Sequence, residues 1–184
     1  IDLPTLNPTR KAMEDALVKK MQLKLALLKT RGVEDLYLFN KFVLKAQEGD
    51  DNFVPLAPFH KELCEFVQDR ADHKKLILIP RSHLKTKLIT TGYSLWRIAQ
   101  NPQVRGLIYS ATWQMAVDIH SSIQKTMQTS DIFKQLYGDL YTGASIWSQD
   151  RTKLAKNTKR EPTITAAGID NNLVGGHYDF ILMD

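Results

Sequence analysis

Four short apolar runs, LILIP (76–80), GLIYSA (106–111), TITAAG (163–168) and DFILMD (179–184), recur along the chain, and helical periods at 85–99 and 112–128 follow the first two. Apolar strands separated by helices mark an α/β fold with a mostly parallel central sheet flanked by helices on both faces. Ligands in such sheets sit at the carboxyl ends of the strands. A chain of 184 residues is long enough to bury a core of this kind as one domain with a small appendage.

The appendage is helical. Residues 9–30 place Ala12, Met13, Ala16, Leu17, Met21, Leu25 and Leu28 at spacings of three and four among lysines, which predicts an amphipathic helix with a basic outer face. A second helix is expected at about 34–47, before the loop-like EGDDN. A third, at 59–71, sets Phe59, Leu63, Phe66 and Val67 on one side. These patterns divide the chain into an N-terminal helical extension, 1–52, and an α/β core, 53–184.

Formal net charge is +5 with a pI near 9.2, which suits an anionic partner. Lys153, Lys156, Lys159 and Arg160 form the one basic cluster with a loop-like setting. Cys64 is the single cysteine, expected as a buried thiol beside Leu63, Phe66 and Val67 in a reducing, cytosolic protein. No apolar run approaches the roughly 18 residues of a membrane span, and IDLPTLNPTR lacks a signal-peptide pattern. Ile1 at the start and a strand stopping at Asp184 suggest two cut ends.

The turn after LILIP holds Arg81, Lys85 and Thr86 between two elements expected to be buried. A strand–loop–helix with Lys then Thr at the helix start is the arrangement of a nucleotide phosphate-binding loop: backbone N–H groups and the helix dipole attract phosphate, Lys reaches the β/γ-phosphates and the Thr hydroxyl coordinates Mg²⁺. The general pattern has glycines where this chain has Ile79 and Leu84. Leu84 would strain the loop if φ had to be positive there. DFILMD supplies the complement, an apolar strand ending in a carboxylate, Asp184, able to hold Mg²⁺. After GLIYSA, Ser110, Ala111 and Thr112 lead into a helix for which Thr112 is the expected cap.

PRSHLKTKLIT resembles the arginine-bearing phosphate loop of the large terminase subunits of tailed bacteriophages, ATP-driven DNA-packaging motors, and the resemblance extends over 55–184. It implies a P-loop NTPase-like fold whose core stops at the Walker B strand. Arg81 falls on the family's loop arginine, Lys85 on its phosphate lysine and Thr86 on its magnesium hydroxyl, with Ser82, His83 and Leu84 completing the loop. Asp184 matches the Walker B metal carboxylate, and in PLAPFHKEL Phe59 and His60 match an adenine-contacting pair. AAGIDNNLVGGHYD resembles the glycine-containing stretch before Walker B, but LVGGH lacks the family's arginine, so a trans-acting arginine would have to be Arg151 or Arg160. The resemblance further implies ATP and Mg²⁺ as cofactors, double-stranded DNA as partner, a homo-oligomeric ring, a portal protein and a small terminase subunit, and the host cell cytoplasm. The family's catalytic acid and nuclease domain would lie beyond Asp184. Two other readings fit the same residues: a helicase-like P-loop ATPase, and a non-enzymatic basic nucleic-acid-binding module whose Arg81–Lys85 turn contacts backbone phosphates.

Overall fold

The computed structural model describes residues 8–44, 56–69, 71–171, 173 and 175–184, and these form an α/β fold around a five-stranded sheet. Helix α1, Pro8–Glu34, is 27 residues long, about 40 Å at 1.5 Å per residue. Its far end is fastened: Trp96 Nε1 donates to the Gly32 carbonyl at 3.0 Å and Gln100 Nε2 to the Val33 carbonyl at 2.7 Å. Of the apolar face expected on this helix, only Leu25 and Leu28 become half-buried, while Met13, Leu17 and Met21 stay exposed. Spacing put those side chains on one stripe, but the early turns have no described element to cover them.

Helix α2, Leu36–Val43, starts at Asp35, whose carboxylate accepts the Leu38 N–H at 3.0 Å, and it buries Leu36, Phe39, Asn40 and Val43. Leu36, Phe39 and Val43 share one apolar cluster with Leu95, Ile98 and Phe133, so α2 packs into the same core as the later helices. The expected boundary at 52/53 lies outside the described residues.

Helix α3, Pro58–Gln68, corrects a second expectation. Phe59 and Phe66 are 37% and 45% exposed, and the buried residues are His60 and Cys64. This i, i+4 pair faces α2, where Asn40 Nδ2 reaches Cys64 Sγ at 3.6 Å. Burial pushes the Cys64 thiol up to about 11, against a smaller opposing effect of the Asn40 hydrogen bond.

LILIP (76–80) is not a strand. Its side chains alternate as an extended chain requires, Ile77 and Ile79 half-buried, but Leu76 and Leu78 are 79% and 82% exposed. An apolar run becomes a strand only when a neighbour takes up its N–H and C=O groups, and no described segment does so here. A groove of about 350 Å³ separates the segment from the nearest sheet edge, with Ile77 on one side and Phe180, Ile181 and Leu182 on the other.

The helix that follows opens with a π-helical turn, Thr86–Thr91, and continues as α4, Gly92–Gln100. Gly92 N–H reaches the Lys87 carbonyl, five residues back. The Leu88 carbonyl, which an α-helix would pair with Gly92 N–H, is taken instead by Asn40 Nδ2 at 3.1 Å. Position 92 must be glycine for this: a Cβ there would lie 2.0 Å from Asn40 Oδ1.

The sheet order is β2-β3-β4-β1-β5, with β1 Gly106–Ser110, β2 Ile146–Trp147, β3 Arg151–Lys153, β4 Ile164–Gly168 and β5 Phe180–Met183. Strands β4, β1 and β5 are parallel, but the β2–β3 and β3–β4 pairs are antiparallel, so the sheet is mixed rather than mostly parallel. Strands β2 and β3 form a two-stranded hairpin that extends the sheet antiparallel from β4. Helices α5, Trp113–Thr129, and α6, Asp131–Tyr137, complete the fold. Thr112 caps α5 as its position suggested, accepting the Met115 N–H at 3.2 Å. His120 ties α5 to the hairpin: one ring nitrogen donates to the Gln149 carbonyl at 2.8 Å, and the other lies 2.9 Å from Thr152 Oγ1.

The start of β5 is fixed by charge. Arg105, just before β1, donates from its guanidinium to both oxygens of Asp179 at 2.9 and 3.2 Å; its N–H also donates to Asp179 Oδ2, and the Asp179 N–H donates to the Arg105 carbonyl. Arg105 hydrogen bonds hold the Asp179 carboxyl well below the usual carboxylate range, with Lys159 at 3.3 Å assisting.

Candidate functional site

The carboxyl ends of β5 and β1 meet at Asp184, beside the loop at 81–86. Asp184 follows β5 directly, and its backbone is clamped to the end of β1: its N–H donates to the Tyr109 carbonyl at 3.0 Å, and Ser110 Oγ donates to its carbonyl at 2.6 Å. At the end of β4, Gly168 lies so close to the start of α5 that a Cβ would meet Trp113 N at 2.4 Å. The sheet therefore delivers a carboxylate, and the helix after the loop delivers the cation facing it.

Lys85 Nζ lies 2.6 Å from Asp184 Oδ1, and Thr90 Oγ1 donates to Asp184 Oδ2 at 2.7 Å. The side chains are 37% and 11% exposed for Lys85 and Asp184, so the pair is sheltered on the carboxylate side and open on the lysine side. Burial pushes the Asp184 carboxyl up. Hydrogen bonds from Lys85, Thr86 and Thr90, with the Lys85 charge, outweigh that effect and leave it below its ordinary value. Lys85, Thr86 and Asp184, expected as partners across 99 positions of sequence (184 − 85 = 99), are thus brought together.

The loop itself is strained. Ser82 and Leu84 have φ of 65° and 57°, a left-handed conformation that costs non-glycine residues about 1–2 kcal/mol each. The positive φ at Leu84 falls at one of the two positions where the general phosphate-loop pattern has glycine. Such strain persists where surrounding contacts hold it. His60 supplies one: Ala57 N–H donates to its Nδ1 at 2.8 Å, so the proton sits on Nε2, which donates to the His83 carbonyl at 3.3 Å. His83 in turn donates from Nδ1 to the Arg81 carbonyl at 2.8 Å.

Among the described residues, the N–H groups of Leu84 and Lys85 have no hydrogen-bond partner. Standing at a helix N-terminus, they suit an anion. Arg81 is exposed, and its guanidinium has no partner among the described residues. Phe59 stacks against His60 at 3.9 Å between ring centroids and lies 5.8 Å from His83, forming an aromatic step beside the loop. His60, by contrast, is buried behind it and acts on the loop rather than on its surroundings.

Other expected residues stand apart. Ser110 is committed to Asp184, and Thr112 to its cap. Arg151 pairs with the neighbouring Asp150 at 3.3 Å, and Arg160 is exposed. Lys159 is drawn to Asp179, which leaves Lys156 and Arg160 as the exposed members of the basic cluster. Sequence reasoning did not find Thr90, Asn40 or the bracing role of His60. Thr90 carried a readable signal, since it lies one helical turn beyond Thr86, on the same face.

The donor set fits Mg²⁺. One carboxylate and one threonine hydroxyl, open on the side of the loop, match an ion that keeps several waters. Among the described residues no three of His, Cys, Asp and Glu gather into an all-protein metal cage, and no helix is long and apolar enough to cross a membrane. Neither a protein-family model nor a curated protein matches the sequence.

Proposed function

We propose that this chain is a P-loop ATPase, the motor domain of a viral DNA-packaging large terminase, coupling ATP hydrolysis to translocation of double-stranded DNA. The observation that carries the ATPase reading is the meeting of Lys85 and Asp184 at 2.6 Å beside a strained loop that leads into a helix N-terminus. In this site Lys85 and the loop amides bind the β/γ-phosphates, and Arg81 serves the transferring phosphoryl group. Phe59 offers a face to the base, and His60 holds the loop. Thr86 and Asp184 would hold Mg²⁺, which when bound would neutralise phosphate charge. DNA packaging, a ring of subunits and contacts with portal and small-subunit proteins rest on the terminase-like loop and the basic balance of the chain.

Binding measurements on wild type and Lys85→Ala decide between a nucleotide site and a DNA-contacting turn. MgATP binding lost in the variant, with affinity for a short DNA duplex kept, supports the ATPase. MgATP binding that is absent or unchanged, with weakened DNA binding, makes the turn at 81–86 a phosphate-backbone contact.

A further inference from the structure

We infer that Thr90 is a positioning residue of the cation half of this site, acting through Asp184. The inference rests on the nucleotide-site reading above. Asp184 has two carboxylate oxygens with different duties: Oδ1 faces Lys85 at 2.6 Å, and Oδ2 is occupied by the Thr90 hydroxyl at 2.7 Å. Thr90 is buried, so it touches neither solvent nor a ligand in the loop. At such a place valine would fill the same volume, and the hydroxyl's contribution is its bond to a residue 94 positions away.

The π-helical turn fixes where that hydroxyl points. Within Thr86–Thr91 the hydrogen-bond ladder shifts by one residue, and Asn40 from α2 holds the shift by taking the Leu88 carbonyl. Thr86 and Thr90, one turn apart, then both reach the same carboxylate. Ser94 Oγ donates to the Thr90 carbonyl at 2.7 Å, securing the backbone from the other side. With Oδ2 pinned, the carboxylate cannot rotate about its terminal bond, and Oδ1 alone is presented to the loop. Without the hydroxyl, only Lys85 and Thr86 hold the carboxylate, both oxygens become open to Lys85, and the aim at an incoming divalent ion is loosened.

The test is ATP titration calorimetry in Mg²⁺ and in EDTA on wild type, Thr90→Val, Thr90→Ala and Thr90→Ser, with thermal melts confirming folding. Outer-shell partners of metal ligands are worth about 10–100-fold in metal affinity. Thr90→Val and Thr90→Ala should therefore shrink the gain from Mg²⁺ by about 10-fold or more. Affinity in EDTA should change little, and Thr90→Ser should restore the gain. In an Asp184→Asn background, Thr90→Val should cost nothing further. Equal weakening in Mg²⁺ and EDTA, or failure of Thr90→Ser to restore the gain, overturns the inference and leaves Thr90 a packing residue. ATP binding without any Mg²⁺ gain in the wild type, or no ATP binding, removes the cation site and this inference with it.

Discussion

Asp184→Asn should change nucleotide affinity in opposite directions with and without metal. The Lys85 ammonium is held on Asp184 Oδ1 at 2.6 Å, so it must leave a sheltered carboxylate before it can face a phosphate. A hydrogen bond to a charged group contributes about 1.5–3 kcal/mol. Lys85 is 37% exposed, and water screening brings the penalty for its release down to about 1–1.5 kcal/mol. An amide at 184 keeps the shape and still accepts from Thr90, but holds the ammonium far less. Metal-free ATP should thus bind Asp184→Asn about 5–10-fold more tightly than wild type, by the conversion of about 1.4 kcal/mol per tenfold. In Mg²⁺ the order reverses, because the wild type exchanges its ammonium for a divalent ion at Asp184 while the variant cannot. Calorimetric titration of both proteins with ATP, in EDTA and in Mg²⁺, measures all four affinities. Metal-free binding that is unchanged or weaker in Asp184→Asn would refute the idea that Lys85 is sequestered.

Arg81→Ala should lower steady-state ATP turnover about 100-fold, with a much smaller loss of ATP affinity, because on the proposed reading the exposed guanidinium at the loop serves developing charge more than the ground state; equal losses in both would reject that role. Gly92→Ala should destabilise the fold by about 1–2 kcal/mol in urea denaturation, overpacking against Asn40 exceeding the gain in helix propensity. In an Asn40→Ala background the same substitution should cost nothing more. The Asp179 carboxyl is depressed by Arg105, so its contribution to stability is complete above the ordinary carboxylate range and is lost as pH falls through its lowered folded value. Asp179→Asn should therefore be less stable than wild type at neutral pH, and the gap in urea midpoint should narrow below about pH 4; a constant gap from pH 7 to 2.5, on the order of the range where carboxylates titrate, would assign the loss to packing.

The elements legible in the sequence were those whose stability is local or whose burial is two-sided. Strand β4 is buried at every residue and read correctly as an apolar run, as did β1, and the helix starting after Thr112 carried its own cap. LILIP is more apolar than β1 yet is no strand, because a strand depends on partners that no property of the segment itself encodes. The α3 pattern misled for a related reason. Phe59 and Phe66 are the bulkier apolar side chains, but the face of α3 that packs on α2 carries His60 and Cys64, whose polar atoms meet Asn40 and the loop backbone.

At the site, the residue types were legible and the reason they meet was not. Lys85, Thr86 and Asp184 announced themselves by chemistry, whereas their distances depend on two remote devices with no motif. The first is the Arg105–Asp179 pair at the far end of β5. It sets Gly106 opposite Phe180, and four strand residues later the register leaves Asp184 N–H on the Tyr109 carbonyl beside the loop. A slip of one residue would turn Asp184 to the other face of the sheet. The second is the Asn40–Gly92 contact, which shifts the ladder of the helix that carries Lys85, Thr86 and Thr90. One device places the carboxylate and the other places its three donors, so the 2.6 Å approach of Lys85 to Asp184 is a property of the whole fold rather than of the loop. Substitutions at Asp179 or Asn40, neither of which touches the loop's ligand-facing side, should for that reason weaken Mg²⁺-dependent ATP binding as well as stability.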